Sequence, residues 1–185
     1  MPTIQPFGNY LEFGTGATAN AGRGSANINK LGFDTNGYMY QMKRNVDGTS
    51  RAAGVPTILD LTNTIATNQG AGCIQPATNL FHMLAGVWAS TVGASTASGA
   101  ETDWQWVQYY GSYSAVPINS SVSVSHAASG TVSFYGLSNG ADSFSADTVT
   151  EANQELFSKR GGWPLAGSVV SSASTANMWF NMGPV

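Results

Sequence analysis

Large apolar and small polar residues alternate in short runs along much of this chain, and the period is two rather than 3.6. In Gly37-Tyr38-Met39-Tyr40-Gln41-Met42-Lys43-Arg44, the side chains of Tyr38, Tyr40 and Met42 fall on one face of a predicted strand, with Asn36-Gly37 as the turn before it. Val55 to Ile65 is apolar and β-branched, with Asp60 interrupting it. Leu80 to Trp88 fits a helix or a buried strand, and Gly86 with its flanking loops favours the strand. Trp104-Gln105-Trp106-Val107-Gln108-Tyr109-Tyr110, closed by Gly111, is the clearest strand, and its bulky residues on both faces predict that both are covered. Ser121 to Ser125 alternates strictly. Ser129-Gly130 and Asn139-Gly140 then turn the chain into Thr131–Tyr135 and Ser143–Val149. Short strands between regular turns predict a mainly β fold, a sandwich or a barrel.

The remaining segments break this rhythm. Met1 to Arg23 is rich in Gly and Ala with Pro2 and Pro6, which predicts an extended arm, leaving 24–185 as a single β-rich domain. Residues 45–54 read as a loop around Asp47-Gly48, and 89–100 as a longer loop of small residues. One short helix is expected near 151–160: Thr150 caps it, acids fill its first turn, Lys159 and Arg160 its last, and Gly161 stops it. Asn177 to Met182 is too apolar for a free tail and should pair into the sheet or dock on a neighbour.

Charge changes the picture more than hydrophobicity does. Charged residues are only 9% of the 185, against roughly 25% in an ordinary soluble domain. Five Trp, seven Tyr and eight Phe supply material for a core, so the low charge does not imply disorder. An exterior this neutral suits a protein covered by neighbours. The net charge of −3 argues against nucleic acid as a partner. Five of the seven basic residues (Arg23, Lys30, Lys43, Arg44, Arg51) precede residue 52, and none lies between Ala52 and Ser158. Either the basic front meets the acidic flank of another copy, or the two neutralise each other within one fold. Cys73 is alone and no disulfide can form within the chain. The start lacks signal-peptide features, and no apolar run reaches the roughly 18 residues of a membrane span, so synthesis in a cytoplasm is expected.

Candidate chemistry is sparse. His82 lies in an apolar run and His126 at a strand end, neither with a second ligand nearby, so no metal site or Ser-His hydrolase is expected. Glu101 and Asp103 invite a glycosidase reading but sit too close along the chain to straddle a glycosidic bond. Gly14-Thr15-Gly16-Ala17-Thr18-Ala19 matches a dinucleotide fingerprint without the strand and helix that give it meaning. No catalytic residue, cofactor or metal is therefore expected. Residues expected to meet a partner are Trp104, Tyr110 and Tyr113 in the aromatic strand, Arg23, Lys43 and Arg44 in the basic front, and Trp179 and Phe180 in the tail.

The strand Trp104-Gln105-Trp106-Val107-Gln108-Tyr109-Tyr110-Gly111, followed by Ala115-Val116-Pro117-Ile118, an alternating Val/Ser run and Ala128-Ser129-Gly130, resembles the decoration, or cement, proteins of tailed-bacteriophage heads. Ala85-Gly86-Val87-Trp88 fits the same style, and the likeness runs from Leu84 to Leu137. The resemblance implies a β-rich clamp on the capsid surface of a virion. It would bind the major capsid protein lattice, often as a homotrimer, with no catalytic residues. The alternatives are a tail or receptor-binding module recognising surface carbohydrate through Trp104, Tyr110 or Tyr113, an enzyme using Glu101 and Asp103, and a coat subunit that assembles alone.

Overall fold

The computed structural model describes residues 5–6, 31–60, 72–76, 84–95, 101–118, 134–137, 142–147, 162–164 and 174–181. Eleven strands are formed there: β1 (Gln5–Pro6), β2 (Leu31–Phe33), β3 (Met39–Asn45), β4 (Pro56–Leu59), β5 (Gly72–Ile74), β6 (Leu84–Trp88), β7 (Trp104–Ile118), β8 (Phe134–Leu137), β9 (Phe144–Asp147), β10 (Gly162–Pro164) and β11 (Ser174–Asn181). The fold is mainly β. Among the described residues the only helical turn is a 3-10 turn at Glu101–Asp103.

Strand pairing produces two closed circuits with one strand in common. In the first, β3 pairs with β5, β5 with β4, β4 with β6, β6 with β7, and β7 returns to β3. Only the β3–β5 pair is parallel. In the second, β7 pairs with β11, β11 with β10, β10 with β8, β8 with β9, and β9 returns to β7 through Ile118↔Phe144. The first half of β7 serves one ring and the second half the other. Of the segment expected to be an arm, Gln5 and Pro6 pair with Phe33 and Gly32 of β2.

The parity of β3 and β7 sorts their side chains into two cores. Tyr40 and Met42 meet Trp104 and Trp106 on one side, with Tyr38 packed beside them, as the spacing of two predicted. On the other side Val107 joins Cys73, Ala85, Trp88, Val55 and Val92, drawn from the walls and flanks of the first ring. Trp104 to Tyr109 is buried at every position, so both faces of this strand are indeed covered. Six consecutive buried positions account for a run with no polar face.

The strand does not end at Gly111, as its sequence suggests. It continues for 15 residues, because β11 takes over as partner from Tyr110 to Ile118 where β3 and β6 leave off. Gly111 (φ 105°) and Ala115 (φ 61°) bend it without ending it. At the first ring, Gly86 (φ 137°) lets β6 lie against β7: a Cβ there would overlap the Gln108 carbonyl oxygen. The tail pairs into the sheet through β11, whose Met178 and Phe180 are fully buried. The helix expected at 151–160, the Ser121–Ser125 strand, the Ser129-Gly130 and Asn139-Gly140 turns, Gly14–Ala19, His82 and His126 lie outside the described residues.

Candidate functional site

The charged side chains are turned toward one another. Arg44, half-buried on β3, gives Nε and Nη2 to Asp103 Oδ2, both at 2.9 Å, and the Asp103 side chain is fully buried. Asp103 Oδ1 has no partner. Arg51 reaches Asp47 at 2.9 Å and Asp142 at 2.6 Å. Gln75 ties the same two carboxylates together, its backbone N–H donating to Asp47 Oδ2 at 2.7 Å and its amide to Asp142 Oδ1 at 3.0 Å. Asn45 Nδ2 donates to the carbonyls of Thr49 and Gly93, each at 2.8 Å, which pins the 46–50 loop against the segment after β6. Arg44 and Arg51 come from the basic front, while Asp103 and Asp142 come from the stretch that has no basic residue. Of the two readings of that asymmetry, these bridges favour neutralisation within one fold.

Eight charged residues have a described burial: Asp34, Lys43, Arg44, Asp47, Arg51, Asp60, Asp103 and Asp142. Asp34, Lys43, Arg51, Asp60 and Asp103 are buried, the other three are half-buried, and none is fully exposed. Lys43, expected at an interface, instead lies at 0% exposure on the side of the first ring's core. Strand parity explains this: with Tyr40 and Met42 on one covered face, Lys43 must take the other, the side on which Cys73, Trp88 and Val107 pack. Burial lowers its pKa, opposed by the neighbouring Cys73. Cys73, also at 0% exposure, has its thiol pushed up to about 12 by burial, partly offset by Lys43 and by a hydrogen bond from Thr57.

A second arrangement lies on the surface where the two rings adjoin. Trp179 of β11 packs edge-to-face with Tyr110 (centroids 5.6 Å apart, planes at 74°) and with Tyr38 (6.4 Å, 87°). All three are half-buried. Tyr38 is seated on the bare backbone of Gly111, where a Cβ would overlap its ring, and its phenol oxygen accepts a 2.5 Å bond from the Ser112 hydroxyl. Asp34 builds the turn that delivers Tyr38: its Oδ1 accepts the backbone N–H groups of Asn36 and Tyr38, both at 2.9 Å, and its Oδ2 accepts the Tyr40 hydroxyl at 3.2 Å. Burial, with Asp34 beside it, raises the Tyr40 pKa.

The interface residues expected from sequence therefore separate. Tyr110 and Trp179 come together at this surface. Trp104 (6% exposed), Lys43 and Phe180 (both 0%) are interior, so in this fold a partner cannot reach them. Arg44 is engaged by Asp103. Tyr113 is half-buried, and its hydroxyl donates to the Ala89 carbonyl at 3.3 Å. Arg23 lies outside the described residues. Tyr38 was not expected at a site. Nor were Asn177 and Asn181, both exposed, although their spacing of two on either side of Trp179 was there to be read.

No group of three metal-ligating side chains occurs among the described residues, and no helix there is long and apolar enough to cross a membrane. No family model, no curated protein and no solved structure matches the chain.

Proposed function

We propose that this chain is a virion structural protein of the decoration, or cement, kind, which binds the lattice of a major capsid protein and stabilises the head. The observation that carries the reading is the inward turning of charge: none of the eight charged side chains of described burial stands fully in solvent. A protein that remains solvated gains solubility from exposed charge, whereas one that is covered by neighbours avoids desolvating it. The closed strand circuits fit a rigid clamp, and the Trp104–Gly111 resemblance supplies the capsid context. Repetition over a symmetric shell would multiply weak contacts into firm attachment, with a homotrimer as the expected unit.

The test is co-sedimentation of the full chain with purified phage particles, alongside variants that place a single charge at exposed neutral positions, Thr49→Asp and Ala53→Asp. Native protein should pellet with the particles. At least one charged variant should be released at lower salt while melting at the native temperature. Native protein that stays in the supernatant at every concentration would remove the reading.

A further inference from the structure

We infer that the surface formed by Tyr38, Tyr110 and Trp179, with Asn177 and Asn181 beside them, is a binding site for a neutral sugar ring of a polysaccharide. The inference does not depend on the assembly reading.

The aromatic part of the site is held before any ligand arrives. Trp179 stands at near right angles to both tyrosines, with centroids at 5.6 and 6.4 Å. Tyr38 is fixed from below by Gly111 and from the side by Ser112. Fixed side chains lose little freedom on binding, which favours small ligands that offer few contacts. The polar part comes from alternation along β11. Met178 and Phe180 are fully buried, so Trp179 and Asn181 share the outward side, and Asn177, at the register shift between Ala176 and Met178, is exposed as well. Each amide offers two donors and an acceptor, the inventory that matches adjacent hydroxyls.

The chemistry of the surroundings selects the ligand class. Neither β7 nor β11 carries a charged residue. On these two strands an acidic glycan finds no cation for its carboxylates, and a single-stranded nucleic acid finds no basic residue to track its phosphates. A protein partner of ordinary affinity buries a broad surface with an apolar centre. Here Met39, at 41% exposure, is the only large hydrophobic classed as exposed among the described residues. A pyranose satisfies what remains: its C–H face is apolar enough to lie on an aromatic side chain, and its rim of neutral hydroxyls meets the amides.

The experiment is affinity electrophoresis of the full chain through gels containing dextran, mannan or galactan, with alginate as the acidic control, for native protein, Trp179→Ala, Asn181→Ala and Thr49→Ala. We expect retardation by at least one neutral polymer, none by alginate, a tenfold or greater weakening in Trp179→Ala and Asn181→Ala, and no change in Thr49→Ala. Asn181 is exposed at the end of its strand, so its substitution keeps the test informative if Trp179→Ala unfolds. Absence of retardation by every neutral polymer would overturn the inference. So would equal retardation by alginate, or retardation that persists in Asn181→Ala. Sedimentation velocity supplies a further arm: self-association that Asn181→Ala abolishes would assign the surface to a second copy of the chain instead.

Discussion

Gly111→Ala tests the central packing argument, because one methyl group acts on backbone, ring and site together. At φ 105° an L-residue is strained, which costs on the order of 1–2 kcal/mol. The new Cβ overlaps the Tyr38 ring, so the ring must leave its seat. Moving it forfeits the edge-to-face contact with Trp179, worth about 0.5–1.5 kcal/mol. It also breaks the Ser112–Tyr38 hydrogen bond, worth about the same. The expected destabilisation is about 3 kcal/mol, taken from these contributions. Urea unfolding followed by tryptophan fluorescence measures it, with the slope against denaturant checked for constancy. Tyr38→Gly completes a double-mutant cycle, since alanine would keep the Cβ that the new methyl also meets. In that background Gly111→Ala should cost little more than its backbone part, leaving a coupling of about 1–2 kcal/mol. A Gly111→Ala protein within about 0.5 kcal/mol of native, or strict additivity of the two substitutions, would refute the reasoning.

Arg51→Met should destabilise by about 2 kcal/mol, less than a fully buried pair would lose because Asp142 is 42% exposed, and thermal melts with Asp142→Asn as the companion will show it. Ala115→Gly should stabilise by about 0.5–1 kcal/mol: the exposed Ala115 at φ 61° carries left-handed strain that glycine relieves, more than offsetting the greater freedom of the unfolded chain. The Cys73 thiol should resist alkylating reagents at pH 8 in the native protein and react once urea unfolds it. Stability should also fall as the pH rises from 9 toward about 12, since the unfolded thiol ionises first and the folded one holds its proton. The raised tyrosines Tyr40, Tyr109 and Tyr113 act in the same direction, while Lys43, lowered, acts in the opposite one. Cys73→Ala should soften the alkaline loss; an unchanged profile would count against a buried thiol.

Much of the β architecture was legible because alternation is a local property. The Tyr38-Tyr40-Met42 stripe, the doubly covered Trp104–Tyr109 run and the pairing of the apolar tail all follow from it. The burial of Lys43 was implicit in the same stripe, but a Lys-Arg dipeptide suggests solvent unless both faces of its strand are known to be covered. Long-range pairing was not legible. Arg44 and Asp103 are separated by 59 residues and Arg51 and Asp142 by 91, and no spacing rule joins them. The aromatic surface was half legible: Trp179 and Tyr110 stand out by composition, whereas Tyr38 joins them only because β3 and β11 both flank β7. The end of β7 was misplaced for a related reason. Glycine signals a break when one partner is considered, and here a second partner begins as the first ends.

That exchange of partners has a mechanical consequence. One continuous ribbon supplies a wall to each ring, its first half to the one and its second half to the other, with the handover at Gly111. Cutting the chain at Gly111 would leave each ring its own five strands and remove only the covalent link between them. A load applied to either ring travels along the same backbone into the other.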